Sequence, residues 1–266
     1  MQEAQVTGLS IYPVKSLRGI ALEQLSIGAL GPQGDRRFVV TGSDGRFLTQ
    51  RQFPRMCLVT VAQHDEMLRL TAPGQPDLML DPQAAASART PVVVWRDTIA
   101  ACDMGDTVAA WFSAFLGVAA RLYFMPEDSV RAVDPSYARP GDRVGFADGF
   151  PLLLTAQASL DDINQALPAA VGMERFRPNV VVSGTLAYAE DEWQRVRIGT
   201  IEFDVVKPCS RCVIPSIDPQ TGEQQPVVAQ TLARLRRRGN AVYFGQNLIQ
   251  RGEGSIALGD RVTVLV

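Results

Sequence analysis

The segment Lys207-Pro-Cys-Ser-Arg-Cys212 holds two thiols three positions apart, with a lysine before them and an arginine between. Three chemistries use such a pair. A thioredoxin-like dithiol needs a helix that starts at the motif. Here Val213-Ile-Pro-Ser-Ile-Asp-Pro219 follows, and its two prolines prevent a regular helix. Zinc needs two further ligands, and Cys57, Cys102 and His64 are each isolated along the chain. The third chemistry is a thiolate bound to a soft metal, with Arg211 and Lys207 favouring the ionised sulfur and holding an anionic cofactor.

Groups suited to an anion recur elsewhere. Tyr12-Pro-Val-Lys-Ser16 ends a strand with an ammonium and a hydroxyl. Gly34-Asp-Arg-Arg37 follows a tight turn, and Arg175-Phe-Arg-Pro-Asn179 opens a later strand. Lysine offers a phosphate a point charge and arginine a planar fork. Each of these residues alone reads as an ordinary exposed charge at a strand end; only their joint occurrence with the thiols points to a site. Lys15 and Lys207 are the only lysines among 26 basic residues, a bias that arginine-rich composition explains. His64, the single histidine, alternates with apolar neighbours and is expected to face solvent. The cluster Arg234, Arg236, Arg237, Arg238 reads as a solvated helix face, with partner docking as its alternative.

The elements that must position these groups are mostly short strands. They are expected at Gln5–Val14, Leu22–Ile27, Arg37–Thr41, Arg46–Thr49, Cys57–Gln63, Met67–Thr71, Asp77–Leu80 and Val92–Val94. Gly42-Ser-Asp-Gly45 is a hairpin turn. Strands this frequent suggest a closed or sandwiched β-structure. Asp106 is expected to cap a helix that buries Trp111, Phe112 and Phe115 and stops at Gly117. Met125–Gly149 has three prolines and no period, and reads as a long functional loop. After it come the apolar run Phe150–Leu154 and a helix start at Ser159, from the capping-box spacing to Asp162. Strands resume at Asn179–Ser183, Gln194–Ile198, Ile201–Val206 and Val262–Val266, with a helix over Pro226–Arg238.

Composition excludes several classes. With 26 basic and 28 acidic residues among 266, the formal net charge is −2, which argues against a general nucleic-acid binder. No apolar run of the length needed to span a membrane occurs, and the N-terminus has no signal-peptide pattern, so the cytoplasm is the expected location. About two domains are expected from the length.

Taken together, Ile11-Tyr-Pro-Val-Lys-Ser16, Gly34-Asp-Arg36, Phe176-Arg-Pro-Asn179, Cys209-Ser-Arg-Cys212 with Asp218-Pro-Gln-Thr-Gly222, and Phe244-Gly-Gln-Asn247 occur in the order seen in MOSC-domain proteins. MOSC stands for molybdenum cofactor sulfurase C-terminal. The resemblance spans essentially the whole chain and is greatest to bacterial relatives of the mitochondrial amidoxime-reducing component. It implies a mainly β fold with a few helices (α+β): a MOSC N-terminal β-barrel domain over residues 1–122 and a MOSC β-barrel domain over 123–266.

The same resemblance implies a molybdenum cofactor between the domains, with Cys212 as the metal ligand. Ser210 and Arg211 match positions beside the pterin phosphate, and Cys209 is a secondary candidate. Lys15, Ser16 and Arg36 match the N-terminal phosphate and pterin contacts, and Arg177 and Asn179 match further cofactor contacts. Asp148, in Ala147-Asp-Gly149, matches a position near the metal and is the second catalytic candidate. Pyridoxal phosphate binding is a further family-level reading. The implied activity is reduction of small N-hydroxylated compounds, with electrons from a separate ferredoxin-like protein, flavoprotein or cytochrome. Some bacterial relatives carry a ferredoxin-like domain after the closing strand, where this chain stops at Val266. The alternative is a non-catalytic cofactor carrier or a sulfur-transfer module with a persulfide on Cys209 or Cys212.

Overall fold

The computed structural model describes residues 3–266. Its first part supplies β1 (Gln5–Ile11), β2 (Ile20–Leu22), β3 (Gln24–Gly28), β4 (Gly31–Pro32), β5 (Phe38–Gly42), β6 (Thr60–His64), β7 (Met67–Thr71), β8 (Leu78–Leu80), β9 (Arg89–Val94) and β10 (Asp97–Asp103). Helix α1 (Asp106–Leu116) and β11 (Ala120–Phe124) complete it. After a long irregular segment come β12 (Leu152–Ala156), α2 (Gln157–Gln165), β13 (Val180–Ser183), β14 (Arg195–Ile198) and β15 (Ile201–Ser210). The chain ends with α3 (Pro226–Arg236), β16 (Arg237–Arg238), β17 (Ala241–Gln250), β18 (Gly254–Ala257) and β19 (Val262–Val264). The fold is mainly β with a few helices, as the sequence indicates. Among the described residues no helix is long and apolar enough to cross a membrane.

The largest sheet runs β19-β14-β15-β17-β12-β13-β1-β2. It closes on itself: Val6 N donates to Asp260 O at 2.9 Å, and Val262 N to Ala4 O at 2.8 Å. Closure removes exposed strand edges. Alternating residues of its strands, among them Val6, Leu9, Val180, Val182, Val196 and Phe203, fill one buried core. A second unit is built from the sheet β5-β11-β10-β9, the meander β6-β7-β8 and α1. Its own core centres on Phe112, Phe115, Val40, Leu70 and Leu80.

Hydrogen bonding crosses the expected boundary between residues 1–122 and 123–266. β1 pairs with β13, and β3 pairs with β18, so the first thirty or so residues complete the barrel of the second half. The cause is visible in β1 and β3, whose apolar faces (Val6, Leu9, Ile11, Leu25, Ile27) pack into the barrel core. The chain therefore passes between the two units at residues 33–37 and at the segment 125–149, and the β1–β2 connection makes an excursion in which Val14 and Leu17 pack into the second core. These crossings carry Lys15, Ser16, Arg36 and Asp148.

Several local expectations are corrected. Asp106 is the first residue of α1 and not its cap; Gly105 takes that place, and its N–H donates to Asp103 Oδ1 at 2.7 Å. Gly117 does end the helix, in the left-handed conformation at φ 73°. α2 starts at Gln157, and the Ser159 hydroxyl, instead of capping, donates to the buried Glu190 Oε1 at 2.8 Å. Arg46–Thr49 forms bridges and no strand, and Cys57 lies in a 3₁₀ turn. β10, β11, β17 and β18 go unread in the sequence. In β17 the left-handed Gly245 (φ 78°) and the polar pair Gln246-Asn247 break the alternation that marks a strand.

Candidate active site

β15 extends past its expected end at Val206 to Ser210, although Pro208 lacks an N–H. Its register against β17 shifts between Val205 and Lys207 and again between Pro208 and Ser210. A proline is tolerated at such irregularities, and the extra residues re-aim the side chains that follow. Cys209, Ser210, Arg211 and Cys212 thereby turn into a cleft with an empty volume of about 810 Å³ counting its open mouth. All ten site residues implied by the resemblance line it: Lys15, Ser16, Arg36, Asp148, Arg177, Asn179, Cys209, Ser210, Arg211 and Cys212. The cleft lies between the barrel and the second unit, where the crossings meet.

Lining this cleft is not the same as being free to bind in it. The Asn179 side chain is buried and fully engaged. Its Oδ1 accepts from Leu153 N at 3.1 Å and Arg36 Nη1 at 3.2 Å; its Nδ2 donates to Ser10 O and Asp35 Oδ1, each at 3.1 Å. An amide has no further hydrogen-bonding capacity. The expected cofactor contact at Asn179 is thus corrected to a brace. Arg36 is half spent as well: Nη1 donates to both oxygens of the buried Asp35, at 2.8 and 2.7 Å, and Nη2 donates to Arg177 O at 3.1 Å.

Three guanidiniums in the lining (Arg51, Arg177 and Arg211) make no salt bridge to a carboxylate among the described residues. Arg177 lies 4.2 Å and Arg36 4.3 Å from the centroid of the Tyr12 ring. Burial, then repulsion from Arg36, push Arg177 down to about 10 against the opposing pull of Tyr12, Asp35 and Asp148, so it stays charged at neutral pH. Arg211 Nε is buried without a partner. Both features describe a surface completed by an anion.

The thiols have different neighbours from those expected. Arg211 Nη1 lies 3.0 Å from Cys209 Sγ and Nη2 donates to Phe176 O, so Arg211 serves Cys209 and not Cys212. Lys207 points away, with Nζ 4.6 Å from the Tyr137 ring centroid. The cation beside the exposed Cys212 is Arg51, with Nη1 3.5 Å from Sγ. Nothing in the sequence marked Arg51, which follows an irregular segment and belongs to no motif. Trp95 also went unread; its indole N–H donates to Asp148 Oδ1 at 3.2 Å. His64 lies outside the cleft lining, with a largely exposed side chain.

Among the described residues Asp148 is the one carboxylate in the lining. The buried Lys15 Nζ donates to its Oδ1 at 2.6 Å and to Phe146 O at 2.8 Å. The loop 125–149 is held for this purpose by Arg131, which is buried and donates to Gly145 O at 2.8 Å and to Asp97 Oδ2 at 2.7 Å. Burial opposes the charge on Asp148, but Lys15, Arg51 and the Trp95 N–H outweigh it and hold the carboxyl well below the usual aspartate range. The side chain is 67% exposed to the cleft, so water screens much of this interaction. Its direction still fixes a sign. A depressed folded value gives stability above the ordinary aspartate range, near pH 4, and loses it as pH falls through the folded value. Carboxyl ¹³C NMR is expected to show Asp148 ionised where an ordinary aspartate protonates, with an upward move of its midpoint in Lys15→Met.

The described residues include no group of three or more His, Cys, Asp or Glu placed to hold a metal ion. A metal at Cys212 must therefore arrive with most of its own ligands. A molybdenum cofactor is such a group: anionic through its phosphate, and bearing a metal that a thiolate suits. The donor set fits it.

This closed β-barrel with a second β unit on its crossings, and a thiol among guanidiniums between them, define a class. The chain matches the MOSC N-terminal beta barrel domain over residues 3–119 and the MOSC domain over residues 141–263. It belongs to the MOSC family that includes the mitochondrial amidoxime-reducing components. It is 34% identical over 284 residues to mitochondrial amidoxime-reducing component 1 of Mus musculus, covering 99% of this chain and 83% of that protein. The Homo sapiens component 1 is 32% identical, covering 99% of this chain and 84% of its own length. The Bos taurus component 2 is 33% identical over 231 residues, covering 83% of this chain and 68% of its own length.

Proposed function

We propose that this protein reduces N-hydroxylated compounds at a molybdenum cofactor bound in the cleft. One observation carries the reading: an accessible Cys212 thiol opens into a cleft with three guanidiniums that have no carboxylate partner among the described residues. The amidoxime-reducing names of relatives near one-third identity supply the substrate class. In this reading Cys212 holds the metal. Arg177, Arg211, Lys15, Ser16 and Ser210 hold the anionic and polar parts of the cofactor, fixing where substrate approaches.

When bound, the cofactor supplies two-electron removal of oxygen from an N–O bond, and the electrons come from a separate redox protein. The chain's own groups bind and orient. Asp148 Oδ1 is taken by Lys15 and Trp95, while Oδ2 makes no hydrogen bond within the protein. Because Lys15 keeps the carboxyl ionised, Oδ2 is an acceptor for a substrate N–H or O–H and a poor proton donor. Arg36 and Asn179, braced by Asp35 behind them, act as a rigid floor.

The test is protein purified from cells able to make the cofactor, given an artificial reductant and an N-hydroxylated base, with molybdenum and pterin measured in the same sample. Turnover to the amine or amidine is expected. Cofactor without turnover would assign the chain to the carriers, and protein lacking both metal and pterin would overturn the reading.

A further inference from the structure

The first position of a two-residue hairpin, when it adopts positive φ, ordinarily takes glycine, because a side chain there is strained. Between β9 and β10, in a hairpin closed by the Val94–Asp97 pair, that position is Trp95 at φ 58°. The residue remains 44% exposed, so buried apolar area is a weak reason to keep a tryptophan there. Its contacts supply a better one. Besides its N–H bond to Asp148, the ring has the Arg51 guanidinium 4.6 Å from its centroid and the Phe47 ring edge-on at 5.0 Å. Arg51 in turn reaches Cys212 Sγ. One side chain thus ties together the cation beside the thiol and the carboxylate of the cleft.

The same strain recurs around this cleft. Of the six non-glycine residues at positive φ among the described residues, Ser16, Arg36 and Arg177 line it and Trp95 touches it. Strained backbone persists where the surroundings over-determine it, and it gathers at functional sites.

We propose that Trp95 is a positioning residue, held in an unfavourable hairpin conformation so that its ring fixes Arg51 beside Cys212 and its N–H fixes Asp148. Its consequence for turnover rests on the functional reading above; the arrangement itself is testable without turnover.

The experiment compares wild type with Trp95→Gly, Trp95→Phe and Arg51→Gln, as full chains made in cells unable to make the cofactor. Cys212 is alkylated with iodoacetate, an anion, or with iodoacetamide, which is neutral. Trypsin cleavage after Arg211 separates Cys212 from Cys209, so mass spectrometry reads each thiol alone. The iodoacetate-to-iodoacetamide rate ratio reports positive charge beside the sulfur. Removing a charge a few ångströms away is expected to lower it by about 3- to 5-fold. That fall is expected in Arg51→Gln and Trp95→Gly, while Trp95→Phe, which keeps a ring face for Arg51, retains most of the wild-type ratio. Glycine also relieves the backbone, so Trp95→Gly is expected to melt at or above the wild-type temperature. In the loaded enzyme Trp95→Gly is expected to lower kcat/KM by about 10-fold.

An unchanged ratio in Trp95→Gly or in Arg51→Gln would overturn the proposal. So would a fall in Tm of several degrees in Trp95→Gly, which would assign the ring to packing. If wild type reduces no N-hydroxylated compound but the ratios behave as stated, the functional reading fails and the positioning role stands.

Discussion

Cys212→Ala is expected to remove molybdenum from the purified protein and to lower turnover of an N-hydroxylated base by at least 100-fold, with the fold intact. Replacing groups that merely support a metal ligand costs roughly 10- to 100-fold in metal affinity or activity, so losing the ligand itself should cost no less. The fold should survive because the thiol is exposed and belongs to neither hydrophobic core. Substitutions at such positions change stability by about 0.5 kcal/mol or less. Cys209→Ala makes the comparison informative. Its sulfur lies against Arg211 Nη1, so its loss frees a guanidinium that still faces the cleft, and metal content is expected to stay near wild type. Metal analysis with a thermal melt on both variants settles which sulfur is the ligand. A Cys212→Ala protein that keeps its molybdenum and turns over normally would remove the basis of the reading.

The site was legible in the sequence wherever a side chain acts close to its own motif. Cys209–Cys212, Lys15-Ser16 and Asp148 converge on one cleft from three widely separated segments. Arg51 and Trp95 were illegible for the same physical reason. Their positions depend on long-range packing: Arg51 on the second unit's path under Cys212, and Trp95 on a strained turn that local propensity argues against. Asn179 was legible as a site residue but not as a brace, because its capacity is consumed by partners 26, 143, 144 and 169 positions away along the chain. Several strands of the first half followed from alternation, though β10 and β11 did not, whereas β15 and β17 carry a proline and a glycine where the barrel turns toward the cleft. The irregularity that hid their ends is what aims Cys209 and its neighbours inward. The run at Arg234–Arg238 was also misread in part. Arg236 is buried and pairs with the buried Asp191, which leaves only part of the cluster as a solvated face.

Asp35→Ala is expected to destabilise the protein by roughly 3–5 kcal/mol, the usual cost of breaking a buried ion pair. For a chain of this size the fall in Tm is then on the order of 10 °C. Asp35 lies behind the cleft wall and joins three of the sequence motifs through Tyr12, Arg36 and Asn179. Its Oδ1 accepts from Tyr12 N at 2.8 Å, from Arg36 Nη1 at 2.8 Å and from Asn179 Nδ2 at 3.1 Å. Burial pushes its carboxyl upward against the pull of Arg36 and these donors, so the fold carries this charge at a cost. What the cost secures is the floor of the cleft. Without the carboxylate, Arg36 loses its counter-charge against the Tyr12 ring, and Arg177, which Arg36 already repels, loses one of the anions that favour its charge. Asp35→Asn separates the two contributions, since it keeps an acceptor for Tyr12 N and Asn179 Nδ2 but removes the counter-charge. Urea unfolding of both variants should show alanine as the more damaging, and cofactor content should fall with the loss of charge in both. Were Asp35→Ala to melt within 2 °C or so of wild type, Arg36 would have found another partner, and the floor would be something other than an ion pair braced by Asn179.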